Sequence, residues 1–148
     1  MTPKATQITT ALLDLLKTIK PSNGYLTDIG NRVYSGRHAL YQDTSPRPFA
    51  CLIARNDDPE NESRRRSRCV RDYDLVITLN ATQDYDQVQD RLLYDVRRAL
   101  STQLPANVLG GLAQALTQSS ATLDNPDLGS GTAQLTLTLS VSYGETYP

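Results

Sequence analysis

Residues 133–143 read "AQLTLTLSVSY": Ala133, Leu135, Leu137, Leu139, Val141 and Tyr143 hold one parity, and Gln134, Thr136, Thr138, Ser140 and Ser142 the other. Successive side chains of a strand point to opposite faces, so alternation of this length predicts a β-strand with one buried face. Such a strand needs neighbours to pair its backbone and an apolar layer to cover its inner face. An earlier segment, 69–81, alternates in the same way, with Tyr73, Leu75, Ile77, Leu79 and Ala81 opposed to Asp72, Asp74, Thr78 and Asn80. Another strand candidate lies before "DNPDLGSG" (124–131), whose Asn-Pro, Asp and glycines are turn chemistry. Further upstream, "RPFACLIAR" (47–55) is almost continuously apolar, with Phe49, Cys51 and Ile53 on one side and Leu52 on the other, which predicts a strand covered on both faces. "NRVYS" (31–35) reads as a short strand.

The cover comes from two helical patterns. In "ATQITTALLDLLKTI" (5–19), Ile8, Leu12, Leu15, Leu16 and Ile19 recur at intervals of three and four, with Thr2-Pro3 as the start signal and Pro21 with Asn23-Gly24 as the stop. In "DYDQVQDRLLYDVRRAL" (84–100), Val88, Leu92, Val96 and Leu100 repeat every four residues. Asp84 is a candidate cap with Gln87 completing a capping box, acids gather early and Arg97 and Arg98 late, and Pro105 with Gly110-Gly111 closes the segment. The order helix, strands, helix, strand pair predicts a single α+β domain over 1–148, with a mainly antiparallel sheet of four to five strands packed by two helices on one face.

A chain of 148 residues can bury an adequate core without staples. A formal net charge of −1 excludes whole-surface attraction to nucleic acid or anionic membranes and leaves only local patches. No apolar run is long enough to span a bilayer, and no apolar stretch follows a basic start, so the sequence predicts a protein made in the cytoplasm with reduced cysteines. A hairpin with Arg55 opposite Cys69 sets Cys51 near Tyr73; both cysteines then face the same way but stay apart, so no disulfide is expected. Eight tyrosines and no tryptophan suit either interfaces or core edges, and Tyr25, Tyr34, Tyr41 and Tyr147 fit both uses.

Signals for catalysis are weak. Gly24, Gly30 and Gly36 are evenly spaced, but Gly30 precedes Asn31-Arg32 and Gly36 precedes Arg37-His38, which matches neither a phosphate loop nor a dinucleotide fingerprint. They read as positive-φ turns joining helix to strand. His38 is the sole histidine, which excludes sites needing several imidazoles and reads as a surface loop residue. Asp84, Asp86 and Asp90 are explained by their place in the first turns of a helix. Asp57, Asp58, Glu60 and Glu62 lack calcium-loop spacing, so no metal and no cofactor are predicted, and no enzyme.

One feature exceeds what the fold demands. "NDDPENESRRRSR" (56–68) has no large apolar residue and predicts a long charged loop. Its acids are followed by Arg64, Arg65, Arg66 and Arg68, with Arg71 just beyond. Such a cluster suits phosphate contacts through counterion release, pairing with a complementary patch on a neighbouring subunit, or plain solvation. Arg64, Arg65, Arg66, Arg68, Arg71, Asp57, Asp58, Glu60 and Glu62 are therefore the candidate subunit or tube interface.

The layout as a whole resembles the tail terminator proteins of long-tailed bacteriophages, the lambda-like minor tail protein U family. The resemblance runs through an N-terminal helix, "VYSGRHAL" (33–40), "RPFACLIAR" (47–55), a charged loop, "DYDLVITLNA" (72–81), "QDYDQVQDRLLYDVRRAL" (83–100) and "AQLTLTLSVSYGETY" (133–147). It rests on the order and texture of elements, and the long Arg-rich loop departs from the family's pattern. It implies a non-enzymatic virion protein whose ring, typically a hexamer, caps the tail tube protein at the head-proximal end and ends polymerisation. The ring then presents a docking face to the head-completion or neck protein, and genomic DNA passes its lumen without sequence-specific binding. It further implies assembly in the host cytoplasm and no membrane. The alternatives are another neck or tail-completion protein, or a nucleic-acid-binding module using the Arg64–Arg71 cluster.

Overall fold

The computed structural model describes residues 1–37, 46–62, 65–126 and 131–148, with the backbone alone at 61 and 62. Helix α1 spans Lys4–Leu16 and buries Ile8, Leu12 and Leu16, the stripe that its spacing predicts. Pro3, not Thr2, is its N-cap, and the carbonyl of Pro3 takes the amides of Thr6 and Gln7. Helix α2 spans Tyr85–Ser101 with Asp84 at the N-cap. No capping box forms: the Asp84 carboxylate instead accepts the Thr82 hydroxyl at 2.8 Å, and the Gln87 amide donates to Asp86 at 2.9 Å. After α2, Leu109 takes the left-handed region at φ 50°, a conformation costing about 1–2 kcal/mol for a side chain, offset here by burying that side chain in the core.

Five strands form one sheet among the described residues: β1 Val33–Ser35, β2 Phe49–Glu62, β3 Arg66–Asn80, β4 Ala115–Asp124 and β5 Thr132–Thr146, in spatial order β1-β2-β3-β5-β4. β1 runs parallel to β2, and every other pairing is antiparallel. The fold is therefore α+β, with both helices packed on one face through Tyr73, Leu75, Ile77 and the Leu135–Val141 row. β2 is covered on both faces, as its apolar run predicts. Ala50 and Leu52 join the helix-side core, while Phe49, Cys51, Ile53 and Val76 make a second cluster on the opposite face. The Tyr34 ring meets Phe49 there edge-on, 6.3 Å between centroids.

The predicted loop at 56–68 is largely strand. β2 continues to Glu62 and β3 begins at Arg66, so Asp57, Asp58, Glu60 and Arg68 all lie in paired strands. The hairpin register moves accordingly: Pro59, not Arg55, faces Cys69, and Cys51 faces Val76 rather than Tyr73. Two irregularities, between Ala54 and Asn56 and between Pro59 and Asn61, accompany the change. A register altered by an odd number reverses facing. Cys51 and Cys69 consequently lie in the two opposite clusters rather than on one face; both are buried, and no disulfide joins them. Of the three glycines expected at positive φ, Gly24 (86°) and Gly36 (76°) conform, whereas Gly30 does not.

Candidate functional site: the charged end of the hairpin

The far end of β2 and β3 is a three-stranded arm, because β5 follows β3 to its tip. Arg66 pairs with Thr146, and Ser67 lies between Glu62 and Glu145. The amide of Tyr147 then donates to the Arg65 carbonyl at 2.8 Å, fastening the C-terminal end to the turn. From the other side, Lys4 of α1 donates its amide to Glu145 at 3.2 Å and its ammonium to the Gly144 carbonyl at 2.7 Å.

Strand parity splits the arginines between two faces. Arg71 shares the helix-side face with Tyr73 and Tyr143, and its guanidinium donates to Asp57 at 3.0 Å while stacking 5.5 Å from the Tyr73 ring centroid. The same Asp57 oxygen accepts the Tyr143 hydroxyl at 2.6 Å, and the Tyr73 hydroxyl pairs with Thr9 of α1 at 2.7 Å. Arg66 and Arg68 lie on the open face, where Arg68 reaches Glu60 at 3.4 Å with both side chains about half exposed. On that face Arg55 approaches Asp74 (3.5 Å) and Asp72 (3.9 Å), and Asn56 donates to Asp58 and Asp72. Ser140 donates to Asp72, and Thr138 to Asp74.

Burial works against the charge of Arg71, but the hydrogen bond to Asp57 and the neighbouring Tyr73 outweigh it, so its pKa rises and the group stays cationic. Burial first, then the Asp57 acceptor, lifts the Tyr143 phenol far above its usual range and keeps it a donor. Among the described residues Arg71 Nε is buried with no partner, so the node depends on Asp57. Asp57→Ala is expected to cost about 2 kcal/mol by leaving Arg71 and Tyr143 unpaired. A urea-unfolding double-mutant cycle with Arg71→Ala is expected to return a coupling near 1 kcal/mol. Coupling below about 0.3 kcal/mol would remove the node from the account.

Sequence reasoning therefore located the charges but not their partners. Asp57 with Arg71 and Glu60 with Arg68 form separate nodes on opposite faces; Asp58 bonds Asn56; Arg65 is exposed at the turn. Arg66, Arg68 and Lys4 line an open groove of about 450 Å³ that Glu145 shares. Arg64 lies outside the described residues, as do His38, Tyr41 and the side chain of Glu62. Tyr143, Thr9 and Arg55 were not singled out, although Tyr143 closes the apolar row of β5 and so had to lie beside whatever crossed the arm's inner face. Among the described residues, no group of three or more His, Cys, Asp or Glu is gathered to hold a metal ion, and no helix is long and apolar enough to cross a membrane. Neither protein-family models nor curated proteins give a match to the chain.

Proposed function

We propose that the protein is a structural ring subunit of a bacteriophage tail, of the tail-terminator kind, which caps the tail tube and offers a docking face to the head or neck. The observation that carries this is the arm: a three-stranded, internally charge-paired projection welded to α1 and to the C-terminal end. β3 alone is 15 residues long, about 50 Å, and α1 with 13 residues about 20 Å, so the sheet outruns each helix. A stiff sheet of that kind suits a wedge repeated around an axis, where one rigid side surface must meet a different one at a fixed angle. The alternative within the same class is another neck or tail-completion protein, which would differ in what it docks.

The internal pairing also weighs against a phosphate-binding arm. An arginine already held by Asp57 or Glu60 must give up that partner to take a phosphate, which reduces the gain from counterion release. Light scattering after size exclusion, with negative-stain images, is expected to show closed rings of the full chain, alone or on purified tail tubes, and arrested tube growth. Arg65→Ala with Arg66→Ala is expected to leave any weak DNA association unchanged. Strong DNA binding that falls steeply with salt and disappears in that double variant, together with tubes left uncapped, would replace the ring subunit by a nucleic-acid-binding module.

A further inference from the structure

The two edges of the sheet are built differently. Beyond the three residues paired with β1, the outer edge of β2 carries Arg55, Asp57, Asp58, Pro59 and Glu60 and two irregularities, the devices by which exposed edges avoid pairing. β4, at the other edge, carries one irregularity, between Gln118 and Ser120, but no charge and no proline from Ala115 to Leu123; it is largely exposed, and no strand lies beyond it among the described residues. Its span of ten residues, about 34 Å, thus presents a row of backbone donors and acceptors.

The sequence of that edge says what fits it. Residues 116–123 read "LTQSSATL", which is nearly the same in either direction about the midpoint of Ser119 and Ser120. Antiparallel pairing with a second β4 about that point sets Leu116 opposite Leu123, Thr117 opposite Thr122, and Gln118 opposite Ala121. In a regular strand, residues seven apart face opposite sides, and the match would fail. The register shift between Gln118 and Ser120 corrects it. Leu116 stands beside Val141 and Leu123 beside Leu135 on the helix-side face, while Thr117 stands beside Ser140 and Thr122 beside Thr136 on the other. Apolar pairs and Thr–Thr pairs directly across antiparallel strands are stabilising combinations. Leu123, 45% exposed in the single chain, gains an apolar neighbour.

The flank of α2 borders the same edge. It reaches β4 through the Arg97–Gln118 hydrogen bond (2.9 Å) and carries a groove lined by Asp90, Leu93, Tyr94 and Arg97, with Tyr94 58% exposed.

We infer that β4 is an isologous docking edge, joining two copies of this chain through an antiparallel β4–β4 pair into a continuous ten-stranded sheet. A two-fold contact closes at two copies and cannot by itself make a ring of six, so the inference stands apart from the ring proposal.

The direct test is the T117C/T122C double variant of the full chain under mild oxidation, with size exclusion and light scattering of charge variants beside it. T117C/T122C is expected to form a disulfide-linked dimer, because opposed residues of such a pair lie within disulfide reach, whereas the wild type, with Cys51 and Cys69 buried, is expected to form none. T117K/T122K sets like charges across the seam and is expected to weaken two-fold association by about tenfold or more, while T117K/T122E sets opposite charges there and restores it. Absence of the cross-link, or association that ignores T117K/T122K, overturns the inference even if rings form. A cross-linked dimer without rings upholds it and counts only against the ring.

Discussion

Asp95→Ala is expected to lower the unfolding free energy by about 3 kcal/mol, which corresponds to roughly 6–12 °C in Tm for a chain of this size. Asp95 is fully buried on α2, and its carboxylate accepts three bonds: Leu26 N at 3.1 Å, Thr27 N at 2.7 Å and the Thr27 hydroxyl at 2.6 Å. These come from the segment that carries the chain from α1 to β1. One turn later, Arg98 donates to the Gly24 carbonyl and lies 4.7 Å from the Tyr25 ring centroid. α2 therefore fastens the α1–β1 connection by two charge-assisted clamps, and the buried one, with three bonds to Asp95, is the stronger. Removing the carboxylate leaves two backbone donors and a hydroxyl without their acceptor, beside a new void. Asp95→Asn keeps the volume but turns an N–H donor toward a donor, so it is expected to recover less than half of the loss. Thr27→Val, which deletes only the hydroxyl, is expected to cost about 1 kcal/mol. Urea denaturation of the three variants checks the order. A loss below 1 kcal/mol for Asp95→Ala would show that the connection is held by packing alone.

Asp95 also shows what the sequence made legible and what it hid. The apolar repeat of α2 was visible, but Gln89 and Asp95 sit within the same stripe as Leu92, Val96 and Ala99, and all five are buried. A polar residue on an apolar stripe was the available signal; its partners were not, because Leu26 and Thr27 lie nearly 70 positions away. Gln89 works similarly, donating to the Asp124 and Gln134 carbonyls and so joining α2 to β4 and β5. The alternation of β3 and β5 was readable because helices cover one face and not the other. The distal half of β2 was not, since no apolar contrast survives where the strand leaves the helices behind, and a paired strand there looks like a charged loop. The charge-bearing residues of the candidate site were visible for the same reason, while their pairing depended on a register that the two irregularities of β2 reset. The reversible sequence of β4 was equally in view, but its meaning depended on the irregularity at Ser119, which only the paired strand displays.

Gly30→Ala is expected to destabilise the protein by about 3 kcal/mol, against about 1 kcal/mol for Gly36→Ala, although only the second glycine has a positive φ. A Cβ on Gly30 would stand 2.6 Å from the Lys17 carbonyl oxygen and 2.7 Å from that of Ile19, and both are backbone atoms that cannot swing aside. The amide of Gly30 donates to the same Ile19 oxygen at 2.9 Å, so the glycine is the point where the end of α1 is pressed against the turn leading to β1. Ile19 and Ile29, both buried, flank the contact, and separating the two segments would open the core between them. Gly36, by contrast, has φ 76° and nothing among the described residues within 4 Å of its would-be Cβ, so alanine there meets chiefly the intrinsic cost of the left-handed region. A phosphate-cradling role would make both glycines matter for a ligand and neither greatly for stability. Thermal and urea unfolding of the two variants separates the cases. A large loss at Gly30 with a small one at Gly36 makes the glycine series a matter of chain packing, and the reverse order would mean that α1 and the turn yield to each other more easily than their backbone contact allows.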